Sequence, residues 1–141
     1  MFYGSYPATL DEKGRVHVPS VFAKDVGESE TVMVADWGKC VAAFPPAAFE
    51  EMAKRFLELS KNKKHREKVH RIVSSFYESS IKNGTLLIPQ KLRDDKKFGK
   101  KVAIVGMLNH MEIWDQRDWD EKDIGRKKTG IRGDLDALDI L

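Results

Sequence analysis

The chain of 141 residues holds one cysteine, five prolines and no long hydrophobic run. Cys40 alone cannot close an intramolecular disulfide, and neither a CxxC pair nor an HExxH helix is available to build a metal site. That cysteine usage suits a reducing compartment. No stretch approaches the ~18 consecutive apolar residues of a membrane span. Gly4, Ser5 and Pro7 interrupt the first ten residues, which lack the basic-then-apolar order of a secretory leader, so none is expected. A phosphate-cradling glycine loop is also missing. What is present suffices for a core: 41% of the residues are apolar and 33% charged, a balance that excludes disorder for the body of the chain. The length suits one domain of ~100–200 residues.

The net charge of +3 is too small to identify a partner, but its distribution is uneven. Residues 1–53 carry 4 Lys/Arg against 8 Asp/Glu, whereas residues 54–71 carry 8 against 2. One short central segment therefore concentrates the cations, as a binding patch or a solvated helix face would.

An internal repeat is the strongest signal. At an offset of 70 residues, Lys13-Gly14-Arg15-Val16-His17-Val18-Pro19 lies over Asn83-Gly84-Thr85-Leu86-Leu87-Ile88-Pro89. Val32–Ala35 lies over Val102–Val105, Phe44 over Trp114, Phe49 over Trp119 and Tyr6 over Phe76, with no gap in the alignment. The expected layout is a first repeat over residues 1–53, a basic helical connector over 54–73, a second repeat over 74–124 and a flexible polar tail over 125–141.

Each repeat predicts the same local structure. Asp11-Glu12-Lys13-Gly14 is a turn, because Asp favours its first position and Gly accepts the backbone a tight turn needs. Val16 and Val18 then alternate with Arg15 and His17, which marks a strand with one apolar face. Pro19 and Pro89 end these strands, since proline cannot donate to a ladder. Short helices are expected from Ser20 to Val26 and from Gln90 to Lys97, followed by hairpins Thr31–Ala35/Cys40–Phe44 and Lys101–Val105/His110–Trp114. Pro45-Pro46 opens a helix whose stripe is Phe49, Met52, Ala53, Phe56 and Leu59. A second helix starts near Asn62, with Val69, Ile72, Val73 and Phe76 facing inward.

The turn Asp11-Glu12-Lys13-Gly14-Arg15 resembles the DxKGR signature of the MraZ family. Its echo about seventy residues later, the stretch Gly106-Met107…Glu112-Ile113-Trp114-Asp115, the opening Met1-Phe2-Tyr3-Gly4 and Trp119 extend the resemblance over about residues 1–122. The resemblance implies a β-rich α+β fold: an AbrB-like double-split, swapped-hairpin β-barrel of two tandem repeats with flanking helices. It also implies a transcriptional regulator encoded with bacterial division and cell-wall genes, forming rings on short repeated operator sequences. The second half departs from the signature: Ile81 aligns with Asp11 and Thr85 with Arg15, so that half is expected to be structural.

Two candidate sites follow. Lys13, Arg15 and His17 share the face opposite Val16 and Val18, beside Gly14, and a β-ribbon with outward cations can enter a major groove. Without the resemblance the same residues read as an exposed strand with an Asp11–Arg15 surface pair. Lys61, Lys63, Lys64, Arg66, Lys68 and Arg71 can touch phosphates, which strengthen binding without reading sequence, or can pair with acids of another subunit. Catalysis has no constellation to support it. His65 and His70, five apart, point about 140° apart on a helix and cannot share a metal. His110 lies at a hairpin, and Cys40 reads as a small buried thiol. The expectation is a non-enzymatic, cytoplasmic, nucleoid-associated protein without cofactor, membrane contact or small-molecule substrate. Its partners are double-stranded DNA and further copies of itself. An antitoxin-like protein-interaction module is the alternative.

Overall fold

A computed structural model describes residues 1–27, 30–124 and 130–140. Strands β1 (Ser5–Thr9), β2 (Arg15–His17), β3 (Thr31–Asp36), β4 (Val41–Phe44), β5 (Tyr77–Lys82), β6 (Thr85–Leu87), β7 (Lys101–Gly106) and β8 (Met111–Asp115) form one antiparallel sheet. Their order is β1-β7-β8-β4-β3-β5-β6-β2, and a bridge between Leu10 and Val16 nearly closes the sheet into a barrel. The two repeats therefore interleave. β1 pairs with β7 of the other half, and β5 of the second half pairs with β3 of the first.

The pairing has a pseudo-twofold axis. Val16 faces Leu86 at the centre of the β2–β6 ribbon, flanked by Arg15↔Leu87 and His17↔Thr85. Ala42 faces Glu112 at the centre of β4–β8. Closing two edges into one another removes unpaired ladder groups, which small all-β layers must otherwise protect. The interior is filled from both halves: Val16, Val18, Phe22, Val32 and Val34 pack with Leu86, Ile88, Leu92, Val102 and Ile104.

Neither β1 nor β5 is marked by apolar alternation. Ser5-Tyr6-Pro7-Ala8-Thr9 is almost wholly exposed, yet its pairing with β7 is continuous from Ser5↔Val105 to Thr9↔Lys101. Pro7 is tolerated because β1 has a ladder partner on one side only.

Helices α1 (Ser20–Val26) and α4 (Gln90–Lys96) follow the strand-ending prolines and insert Phe22, Val26 and Leu92 into the core. Helix α2 (Pro46–Ser60) begins with Pro45 as its cap, and α3 (Lys63–Ser74) begins at Asn62, whose side chain accepts from Lys64 N at 2.9 Å. The helical hairpin is less buried than its stripe predicts. Val69 is buried, but Ile72 and Val73 are 40% and 44% exposed, contrary to their expected inward placement. No residue of α2 is fully buried, because α2 lies on the outside of the barrel against α3. Helix α5 (Gln116–Lys122) is capped by Asp115, which accepts from Arg117 N. Of the tail, Arg132–Ala137 form helix α6, with no buried residue. The flexibility expected for residues 125–129 and 141 concerns positions outside the described residues.

Candidate nucleic-acid interface

The two equivalent turns are built differently. In the first, Gly14 N donates to Asp11 O at 3.1 Å and Asp11 N donates to Arg15 O at 2.9 Å. Gly14 has φ +88°, so a three-residue loop ends in a left-handed glycine. In the second, Asn83 (φ 53°) and Gly84 (φ 74°) make a two-residue Asn-Gly turn between Lys82 and Thr85. The second turn is one residue shorter.

This shortening corrects the ungapped repeat alignment. Leu10 bridges to Val16, and the symmetry-equivalent pair is Ile81↔Leu86. Ile81 is therefore the counterpart of Leu10, and both are buried in the core. The counterpart of Asp11 is Lys82, which pairs with Thr85 as Asp11 bonds to Arg15. The second half has not exchanged an acid for Ile81; it has a cation where the first half has Asp11.

Asp11 organises the first turn. Its Oδ1 accepts from Lys13 N at 2.9 Å and Arg15 N at 2.8 Å, and its Oδ2 accepts from Arg15 Nε at 2.9 Å. The Arg15 backbone N–H, then the Arg15 side chain and its charge, hold the Asp11 carboxyl below the usual carboxylate range. The Asp11–Arg15 surface pair of the plainer reading is thus present, with Arg15 half exposed.

On the ribbon, Val16 and Leu86 point into the core, leaving Arg15, His17, Thr85 and Leu87 on the outer face. Thr85 Oγ1 lies 3.4 Å from His17 Nδ1. A groove of about 770 Å³ runs along this face, lined by Thr9, Asp11, Arg15, His17, Ser80, Lys82, Asn83, Thr85 and Leu87. It brings together Arg15 and His17 and adds Lys82. Sequence reasoning missed Lys82 because the ungapped register placed it against Glu12. The Asn-Gly pair, a strong two-residue hairpin signal, could have revealed the gap.

Lys13 sits in the turn ahead of β2 and does not line this groove, nor do Lys63, Lys64, Arg66 or Arg71. These last four are exposed along α3, where Arg66 Nε donates to Ser60 O at 3.0 Å. The α2–α3 hairpin has its own groove, of about 500 Å³, lined mostly by Phe49, Ala53, Phe56, Leu57, Val69 and Val73, with Arg66 and His70 among its polar residues.

His110, Glu112, Trp114 and Cys40 lie together in a buried network. His110 Nε2 lies 3.2 Å from Glu112 Oε2, and Trp114 Nε1 donates to Glu112 Oε1 at 3.0 Å. Burial opposes ionisation of Glu112, but the His110 and Trp114 hydrogen bonds outweigh it and hold the carboxyl below its usual value. Burial, reinforced by the Glu112 charge, pushes the Cys40 thiol up to about 12, so it is a thiol at neutral pH.

Residues 1–72 and 82–123 match the family profile described as "MraZ protein, putative antitoxin-like". A transcriptional regulator MraZ of Finegoldia magna is 34% identical over 144 residues, spanning 99% of this chain and all of the relative. Proteins of the same name from Roseiflexus castenholzii and Pseudoalteromonas translucida are each 32% identical. The first match covers 84% of this chain and 84% of the relative, the second 86% and 84%. With the interleaved barrel and the turn that carries Asp11 and Arg15, these matches place the chain in the MraZ family.

Proposed function

We propose that this protein is a transcriptional regulator that binds double-stranded DNA through the β2–β6 ribbon. The observation that carries the reading is the outer groove, where Arg15, His17 and Lys82 are exposed above a ribbon fixed by Val16 and Leu86. A two-stranded ribbon fits the width of a B-DNA major groove, and an arginine can bond a guanine edge through two N–H groups. Arg15 is the base reader. Lys13, His17 and Lys82 act beside it, with Lys82 adding a charge contact to the mainly structural role expected of the second half. Lys63, Lys64, Arg66 and Arg71 supply phosphate contacts where DNA extends past the ribbon.

The operator is a set of repeated short sequences upstream of the protein's own operon, which it represses from the nucleoid-associated cytoplasm, without catalysis or cofactor. Several copies of the chain form a ring. The α2–α3 hairpin meets a second copy through its open apolar groove. Pull-down of sheared genomic DNA at moderate salt, followed by sequencing, tests the reading. Recovery of direct repeats upstream of the gene supports it, and recovery without sequence preference refutes it.

A second reading, a protein-interaction module, is favoured by helix α6, after which Leu138 and Ile140 stay 70% and 63% exposed. Co-purification of a small protein encoded beside the gene, with no enrichment of DNA, would select it.

A further inference from the structure

We infer that Arg93, on α4 of the second half, is a positioning residue that clamps the first half's turn for sequence-specific binding. The inference rests on the DNA-binding reading above. It begins with Gly14, which is buried although it belongs to a surface turn. A Cβ at residue 14 would lie 2.5 Å from Arg93 Cζ and 2.9 Å from Nη2, so the guanidinium covers the bare Cα face of the glycine. Arg93 Nε donates to Ile88 O at 3.0 Å, and Ile88 N donates to Gly14 O at 2.8 Å. A short chain of contacts thus runs from α4 through the end of β6 to the turn. The helix end of that chain is fixed, because Leu92 is 2% exposed in the core.

The second turn has the same backbone link and no clamp. Val18 N donates to Gly84 O at 2.8 Å, as Ile88 N does to Gly14 O. At offset 70 the counterpart of Arg93 is Ala23, and nothing lies within 4 Å of where a Cβ on Gly84 would be. The clamp is found on the turn that carries Asp11 and Arg15, and it comes from the other half of the molecule.

Its physical effect follows from the turn's chemistry. A left-handed glycine is the most permissive residue in the loop, and Arg15 follows it directly. Paired hydrogen bonds to a base edge demand a fixed geometry, whereas attraction to phosphates does not. Loosening the turn therefore removes specificity and leaves non-specific binding in place.

The test compares operator duplex recovered from genomic DNA with a scrambled duplex, over a salt series, for Arg93→Ala, Arg93→Lys and Arg15→Ala. Arg93→Ala is expected to lose roughly tenfold or more of the operator-to-scrambled ratio, with the salt slope unchanged. Arg93→Lys keeps the charge but loses the flat guanidinium, and is expected to behave like Arg93→Ala. A wild-type ratio for Arg93→Lys, or equal loss on both duplexes with the slope reduced by about one, makes Arg93 a phosphate contact and overturns the clamp. An unchanged ratio for Arg93→Ala while Arg15→Ala loses its own overturns the clamp alone. An unchanged ratio for Arg15→Ala overturns the DNA reading and the inference with it. Should Arg93→Ala fold poorly, Arg93→Lys decides the binding arm and thermal melting decides the contact. Gly14→Ala must lower Tm less in the Arg93→Lys background than in the wild type, and equal lowering overturns the contact.

Discussion

Asp11 and Arg15 are joined twice, through Arg15 N to Oδ1 at 2.8 Å and through Arg15 Nε to Oδ2 at 2.9 Å. The carboxylate fixes the turn and aims the arginine in one arrangement. Because its folded pKa lies below the unfolded value, the turn's stabilisation is complete above the unfolded pKa. It is lost as pH falls through the folded one. The protection factors of the Lys13 and Arg15 amides, taken against the intrinsic exchange rate at each pH, should therefore be constant across neutral pH and should fall only in acid, below the ordinary carboxylate range. Loss of protection near pH 6 would assign the effect to another group. Asp11→Asn should weaken protection across neutral pH and remove its dependence on acid.

Arg15→Ala should abolish most specific DNA binding while leaving Tm within about 2 °C, as expected where a surface change stays within ~0.5 kcal/mol. A lost arginine–base contact costs about 1–3 kcal/mol per subunit engaged, compounded where several subunits bind together. Operator titration at fixed salt reads this. Affinity equal to wild type would remove Arg15 from the interface.

Lys82→Ala and Thr85→Ala separate charge from readout in the second half. Lys82→Ala should weaken operator and scrambled DNA alike and reduce the salt slope by about one, the mark of a phosphate contact. Thr85→Ala should leave affinity within about 0.5 kcal/mol. If Thr85→Ala instead loses as much as Arg15→Ala with its assembly intact, the second half reads bases.

Val73→Asp should break self-association. Val73 is 44% exposed in a groove whose other walls include Phe49, Phe56 and Leu57, and a carboxylate covered there by a second copy would lose its hydration against a mostly apolar surface, with Arg66 and His70 as the groove's cationic side chains. Light scattering should give a multiple of the chain mass for the wild type and a smaller species for Val73→Asp. A wild-type protein that stays monomeric at micromolar concentration and on DNA would exclude the ring.

Much of this was legible in the residues, for physical reasons that differ from place to place. Pro19, Pro45 and Pro89 mark boundaries because proline's missing N–H acts locally. Val16 and Val18 reveal a buried face because a strand's period is 2. β1 was not legible: its place is set by pairing with β7, a partner almost a hundred residues away, and Ser5–Thr9 carries no apolar alternation of its own. Ile72 and Val73 follow helical periodicity as an inward face does, but periodicity cannot say whether the covering surface belongs to the same chain. Arg93 was invisible as a partner of Gly14, since only the swapped topology brings α4 of one half over the turn of the other.

The single gap between the repeats makes the sharpest prediction. An ungapped alignment suggests that Ile81→Asp would restore the lost acid of the signature. In the structure Ile81 is 4% exposed, pairs with Leu86 and takes the place of Leu10 in the core. A carboxylate there would be buried among apolar side chains, and the loss should be on the order of 4 kcal/mol or more, enough to unfold a marginal domain. Ile81→Val, which removes one methylene, should cost only about 0.5–1.5 kcal/mol. Lys82→Asp places the acid at the true counterpart of Asp11, on the exposed side of the same strand, and should change Tm by no more than a surface substitution does. Melting of the three variants decides the register. Folding of Ile81→Asp with a near wild-type Tm would show that the second turn has the same length as the first and that Lys82 does not stand in the place of Asp11.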